Sequence, residues 1–555
     1  MHCCFHITEI LTLICNACRD PRDDDDASWV KGENIQSLAR LARTCKGVHA
    51  VAIACLWEDV TALEILAEYT MPGCWRAIVM NEDDDDDAWM LLPEHLITES
   101  DLVRFRYYAP FIRKMSFGEG AWPKMLSEDG FLALCMTDTY PLLPNLTHIS
   151  WNIGDIHLLY LRYLATPALV SLYITGGMLS MGEVHILQFI QQRCENVTKV
   201  RLQFDHSGPL GQPVTVRSLG EVICSWRLRS LATSHIDAKA LRKLAASPTL
   251  RTFHVTAESG VQDCITMAVL TGPNLPLSFP LQAFSVLTNM TIRSWVKDTS
   301  LARMLRLCSF GCLDTLKIHS LLPPVGWQNL LTAVRESHAS RKALRRLVLK
   351  ERVRLGADSD DPSPGSVIAP LRDFGALEEL TLSSNSGFSL DSDELLNMAK
   401  AWPQIRVLQI FPASYSPDET LRLPMHALQH LAAHCPRLST LHLEVDATEV
   451  SLSQAPPDVR NYALRTLNVG WSPISSAVGV SAYLSSVFPN IDSIECGPLS
   501  DPPPLDALHH NSGVWSNTAA LMKAFRAVRA HEARCLSGSL SGQMAHLGVV
   551  DSLGL

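Results

Sequence analysis

One phrase, apolar-x-x-apolar-x-apolar, recurs through most of this 555-residue chain and limits what it can fold into. It occurs at Ile112-Met115-Phe117, Leu146-Ile149-Trp151, Leu169-Leu172-Ile174, Val197-Val200-Leu202, Leu250-Phe253-Val255 and Leu281-Phe284-Val286. It continues at Leu313-Leu316-Ile318, Leu344-Leu347-Leu349, Leu377-Leu380-Leu382, Ile405-Leu408-Ile410, Leu438-Leu441-Leu443, Leu464-Leu467-Val469 and Ile491-Ile494-Cys496, with a weaker copy at Leu228-Leu231. The starts fall 22 to 34 residues apart, for example 31 from Leu313 to Leu344 and 33 from Leu344 to Leu377. A period of this size marks a repeat architecture. The residues before a phrase have helical spacing and usually close on Pro, Cys or an aromatic: Glu394, Leu395, Met398 and Ala399 precede Trp402, and Leu428, Leu431 and Ala432 precede Cys435. Each repeat therefore reads as strand, loop, helix. Such a repeat cannot bury its apolar edge alone, so neighbours must stack. The expected fold is α/β, a curved solenoid with parallel strands on its concave side and helices on its convex side. A doubly wound α/β enzyme is the competing architecture, but no Gly-rich phosphate loop opens any of these helices.

Composition narrows the function. At 47% hydrophobic the chain can bury a large core, and its formal net charge of -10 gives no general attraction to nucleic acid phosphates. The 16 cysteines are scattered, without the dense spacing of a disulfide-stapled domain, and read as reduced thiols of an intracellular protein, cytoplasmic or nuclear. Asn-x-Thr sequons stand at Asn145, Asn196 and Asn289 and would matter only in a secreted chain. The apolar stretch Ile7 to Cys15 is short, holds Thr8, Glu9 and Thr12, and lacks a basic leader, so it reads as an amphipathic helix rather than a signal peptide. No run reaches the roughly 20 apolar residues of a membrane span.

Upstream of the repeats, Leu38, Leu41, Ala42, Cys45, Ala52 and Leu56 make an apolar helical face, with Arg40, Arg43 and Lys46 off it. A second apolar face runs through Ile7, Ile10, Leu11 and Ile14, and the loop Asp20 to Asp26 separates the two. Two or three short helices follow from this, too small to be stable without a partner surface. Within the array, Arg354 to Pro370 reads as a solvated insertion, with Asp358, Asp360, Asp361 and three prolines. Val514 to Arg534 has helical spacing at Leu521, Met522, Phe525 and Val528 and is expected to cap the last repeat. The expected divisions are a helical module at 1–72, a linker with an acidic run at 73–106, repeats at 107–510, a capping helix at 511–536 and a disordered tail at 537–555.

Here the chain resembles a known family. LARLARTCKGVHAVAIACLWEDV (Leu38 to Val60) and the following segment to Met71-Pro72 look like the second half of the F-box in fungal F-box/leucine-rich-repeat proteins. YYAPFIRKMSF (Tyr107 to Phe117) and FRAVRAHEAR (Phe525 to Arg534) resemble that family's first repeat and terminal helix. Where an F-box usually opens with Leu-Pro before its Glu, this chain has Ile7-Thr8-Glu9, and the aspartate-bearing loop lengthens the next connection. The resemblance implies a leucine-rich-repeat solenoid behind an F-box-like module. It also implies a substrate receptor of a Skp-cullin-F-box ubiquitin ligase, docking on the Skp-type adaptor, and through it a cullin, and holding a protein target on the repeats. Carried over by position, the adaptor contacts are Ile7, Ile10, Leu11, Ile14, Leu38, Leu41, Ala42, Val48 and Leu56. The alternative is a leucine-rich-repeat interaction scaffold, including a GTPase-regulator type, that never meets an adaptor.

On the repeats, strand alternation turns the phrase residues inward and the intervening side chains onto the concave face. That face is expected to carry Lys199, Arg201, Lys317, His319, Arg346 and Lys350, then Glu379, His442 and Glu444: a basic middle and a more acidic C-terminal third. An acidic or phosphorylated target segment would suit the basic part. Cys15-x-x-Cys18, with His2, Cys3, Cys4 and His6 upstream, is the nearest approach to a zinc pattern, but it lacks a regular second pair. The runs Asp23 to Asp26 and Asp83 to Asp87 lack the Gly and Glu of a calcium loop. No His-Glu-x-x-His, Walker loop or nucleophile elbow occurs. The expectation is a non-enzymatic protein with no cofactor or metal.

Overall fold

A computed structural model describes residues 7–17, 35–79, 89–117, 124–137, 141–153, 157–204, 213–256, 283–297, 300–321, 326–338, 341–351, 363–384, 387–412, 423–450, 459–496, 511–529 and 531. The Cys3–Cys4 and Cys18 zinc pattern, both aspartate runs, Ser500 to Pro504 and the tail from 537 lie outside these residues. The chain divides into two compact units, residues 1–269 and 270–555.

The first unit opens with helices α1 (Thr8–Ala17), α2 (Ile35–Ala42) and α3 (Lys46–Trp57), followed by α4 (Leu63–Thr70) and α5 (Leu102–Tyr108). Its strands are β1 (Asp59–Val60), β2 (Trp75–Val79), β3 (Trp89–Pro93), β4 (Lys114–Phe117), β5 (Lys124–Leu126), β6 (His148–Asn152), β7 (Ser171–Thr175), β8 (Lys199–Gln203), β9 (Ser230–Thr233) and β10 (Thr252–Thr256). β1, β4, β6, β7, β8, β9 and β10 lie side by side, each parallel to the next. One register line runs from Val60 through Met115, Ile149, Leu172, Val200, Leu231 and Phe253, the last six being the middle residues of successive phrases. The segment expected to be a linker instead holds structure. β2 and β3 pair antiparallel, β5 joins β3 in parallel, and buried Glu64 of α4 accepts from the Leu126 backbone N–H at 3.0 Å. β1 also falls inside the expected helical module yet pairs with β4, so the helices run directly into the sheet.

The second unit contains β11 (Asn289–Lys297), β12 (Thr315–Leu321), β13 (Arg346–Glu351), β14 (Ser363–Pro364), β15 (Glu379–Ser384), β16 (Phe388–Ser389), β17 (Val407–Pro412), β18 (Thr440–Leu443), β19 (Thr466–Asn468) and β20 (Ser493–Glu495). All but the short β14–β16 pair form one parallel series, with Met290, Leu316, Leu347, Leu380, Leu408, Leu441, Leu467 and Ile494 in register. Helices alternate with these strands and have local causes. Asp391 and Glu394 form a reciprocal capping box that starts the helix Ser392–Ala401. Trp402, Cys435 and Phe488 end their helices, and each carbonyl then accepts from the backbone N–H three residues on, at Ile405, Leu438 and Ile491. That turn is what places the next phrase. Burying each phrase leucine contributes about 1.5–3 kcal/mol relative to exposure.

Two expectations within this unit need correction. Leu281 lies outside the described residues, and Phe284 and Val286 are not in a strand: Phe284 has φ +59° and sits in a turn, while the strand begins at Asn289, so Leu287, Met290 and Ile292 carry the phrase. Of the expected solvated insertion, 354–362 lies outside the described residues, but Gly365–Asp373 is a 3-10 helix burying Val367, Ile368 and Leu371. The helix over 511–529 packs on the last repeats through buried Trp515, whose indole donates to the Ser472 carbonyl at 2.8 Å, and through Arg529 on the Ser485 carbonyl at 2.7 Å. Among the described residues, no helix is long and apolar enough to cross a membrane.

Candidate interaction surfaces

The apolar faces of α1, α2 and α3 meet in a small core of Leu11, Cys15, Leu38, Ala42, Val48, Ala52, Ile53 and Cys55. Leu41, Leu56, Trp57, Tyr108 and Phe111 pack at its edge, and the Trp57 and Tyr108 rings sit 4.9 Å apart. This divides the expected adaptor contacts. Leu11, Leu38, Ala42 and Val48 are buried inside the chain and are not offered to a partner, and Leu41 and Leu56 are half-buried against the same core. Ile7 (47% exposed) and Ile10 (36%) face out, and Ile14 is half-buried. Sequence reading missed Leu13, which is 68% exposed. Ile10, Leu13 and Ile14 follow i, i+3, i+4 spacing, so α1 has one apolar stripe locked in the core and another facing solvent.

In the first unit's sheet, Lys199 is exposed and the Arg201 guanidinium lies over the Tyr173 ring, 5.0 Å from its centroid. Tyr173 and Arg201 are cross-strand partners on β7 and β8, which is why the two meet.

The second unit gathers more charge. Arg293, His319 and Lys350 are in register on β11, β12 and β13, with Lys317 two residues before His319 and Arg346 four before Lys350. Neighbouring strands lie about 4.8 Å apart and alternate residues share a face, so these five side chains occupy a patch about 10 Å by 13 Å. Arg293, Lys317 and Arg346 are exposed; His319 and Lys350 are half-buried. Glu379 on β15 approaches Arg346 to 4.0 Å, partly neutralising that corner. Arg293 was not anticipated because the phrase before it was placed six residues too early.

Further along the same face, two expected contacts have inward roles. His442 is 2% exposed and stacked on Phe411, so it is not available to a target. Glu444 is half-buried and accepts from the Trp471 backbone N–H at 2.9 Å, fixing the turn at Gly470. Thr381 donates its hydroxyl to Gln409 at 3.1 Å, so the surface beyond Lys350 is polar and internally bonded.

The sequons also find local explanations: the Asn145 and Asn196 amides donate to the Pro110 and Pro167 carbonyls of the preceding repeats, at 2.7 and 2.9 Å. Among the described residues no cysteine is in a disulfide. Compared with known proteins, the chain matches no family model and no curated protein.

Proposed function

We propose that this chain is a non-enzymatic substrate receptor of a Skp-cullin-F-box ubiquitin ligase: an F-box-like helical module leading into leucine-rich repeats that hold a protein target. The observation that carries the proposal is the two-sided α1. Leu11 and Cys15 fasten it to the core it shares with α2 and α3, which leaves Ile7, Ile10 and Leu13 to bury about 1.5–3 kcal/mol each against an adaptor, before association costs. The in-register phrases and their helical connections support the repeat assignment, and the Arg293, Lys317 and Lys350 patch supports an acidic or phosphorylated target segment. Scattered cysteines that, among the described residues, form no disulfide fit a reducing, intracellular setting.

The test is co-purification of the full chain with a Skp-type adaptor, beside an Ile10→Asp, Leu13→Asp variant. Both positions are solvent-facing, so the substitutions spare the core. Capture by the wild-type chain and its loss in the variant is the expected result; no capture by the folded wild-type chain rules the receptor reading out.

A second reading, a repeat scaffold without a ligase, is favoured by one observation. β1 continues the sheet from α3, so the helices also close the first strand edge, a capping role that needs no adaptor.

A further inference from the structure

We propose that Cys74, His95 and Asp101 form a binding site for a zinc-like divalent transition metal. Their ligand atoms, the cysteine sulfur, an imidazole nitrogen and a carboxylate oxygen, all lie within 4.8 Å of one another. They come from three separate segments that the local fold forces together. β2 and β3 pair with Trp75 opposite Pro93, which sets Cys74 beside Glu94 across the end of the hairpin, and the Glu94 N–H closes that end on the Cys74 carbonyl at 2.8 Å. His95 follows directly. The chain then turns into α5, and the Thr98 N–H and hydroxyl both donate to Asp101 Oδ2, at 2.8 and 2.6 Å. Asp101 thereby faces His95, with Nε2 to Oδ2 at 3.6 Å, and accepts a hydrogen bond from the Cys74 thiol.

The donor set selects the ion. One sulfur, one nitrogen and one oxygen suit zinc and its neighbours, whereas calcium and magnesium take oxygen ligands almost throughout. Charge also balances: binding displaces the thiol proton to solvent, and a thiolate, a carboxylate and a neutral imidazole then compensate a dication. A tetrahedral zinc with ordinary bond lengths needs ligand atoms about 3.3–3.6 Å apart, so the cluster closes by about 1 Å on binding. Cys74 is 2% exposed while His95 is exposed, which gives the metal a buried anchor and an entry path, and leaves the fourth position to water. A nucleophilic role for the cysteine fits less well, because that chemistry needs an accessible thiolate.

The full chain, stripped with a chelator, is titrated with Co²⁺ and then with Zn²⁺. The expected result is one cobalt ion giving tetrahedral visible bands and a sulfur-to-cobalt charge-transfer band, displaced by zinc. Cys74→Ser removes the charge-transfer band, Cys312→Ser, at an exposed cysteine, leaves it, and His95→Ala weakens zinc on the order of tenfold or more. His95 is exposed, so that variant decides the matter even if Cys74→Ser does not fold. Absence of the band in the wild-type chain, or unchanged affinity in His95→Ala, overturns the proposal.

Discussion

The imidazole of His442 lies flat on the ring of Phe411, with centroids 4.5 Å apart and planes 5° from parallel. Both side chains are buried, and His442 Nδ1 has no hydrogen-bond partner. Burial therefore pushes the imidazole down from 6.5 to about 4. Between those two values the unfolded chain holds more protons than the folded one, so stability rises with pH through the window. It is full above about 6.5 and is lost as the pH falls toward 4. At pH 4.5 the loss from this group is on the order of 2 kcal/mol relative to pH 7. Chemical unfolding of wild type and His442→Leu at the two pH values checks it: the variant is expected to lose that much less. Buried His338, whose pKa is lowered by desolvation, remains in both chains and cancels in the comparison. Equal acid losses would show that His442 is already solvated.

Gly470 is held at φ +55°, and a Cβ there would stand 2.5 Å from Glu444 Oε1. Gly470→Ala is expected to cost about 2–3 kcal/mol, combining left-handed backbone strain with displacement of the carboxylate that satisfies the Trp471 N–H. Glu444→Gln keeps an accepting oxygen and should cost under about 1 kcal/mol. Thermal unfolding of the two variants separates these outcomes. A destabilisation by Glu444→Gln as large as that by Gly470→Ala would mean that charge, rather than the acceptor, holds the turn.

Most of the strand placement was legible because buried parallel strands leave a strong signal: Leu316, Leu347, Leu380 and Leu408 had to fall in register for their repeats to stack. The error at Leu281-Phe284-Val286 has a physical origin. Phe284 is buried in a turn and so reads as an inward strand residue, while Leu287, Met290 and Ile292 repeat the same spacing six residues later around Asn289, a poor strand former. Which of the expected contact residues are exposed was less legible. Apolar helix positions do not declare whether they face their own core, as Leu38 does, or solvent, as Leu13 does. Nothing in the spacing of His442 marked it as covered rather than presented. The Cys74, His95 and Asp101 cluster had no sequence signature at all, since a hairpin and a helix start bring its members together.

The corrected register makes a prediction of its own. Ile292 points into the core of the second unit and is 1% exposed, whereas Val286 is half-buried. Ile292→Ala is therefore expected to cost about 2–5 kcal/mol, and Val286→Ala less than half as much. Denaturant midpoints for the two variants are the measurement, and the reverse ranking would restore the earlier strand position.

The basic patch predicts an uneven response to charge reversal. Arg346 already has Glu379 4.0 Å away, so part of its field is spent within the chain, whereas Lys317 and Arg293 are exposed on neighbouring strands. For a phosphorylated or acidic peptide lying across β11 to β13, Lys317→Glu is expected to weaken binding more than Arg346→Glu, and the Lys317→Glu, Lys350→Glu pair by on the order of tenfold or more. Because most of the patch faces solvent, wild-type affinity should also fall steeply as salt shortens the Debye length from about 10 Å at 0.1 M. Fluorescence anisotropy on arrays of phosphoserine and aspartate-rich peptides, at two salt concentrations, reads both effects. Binding that ignores salt, or that depends on Arg346 more than on Lys317, would move the recognition surface away from these strands.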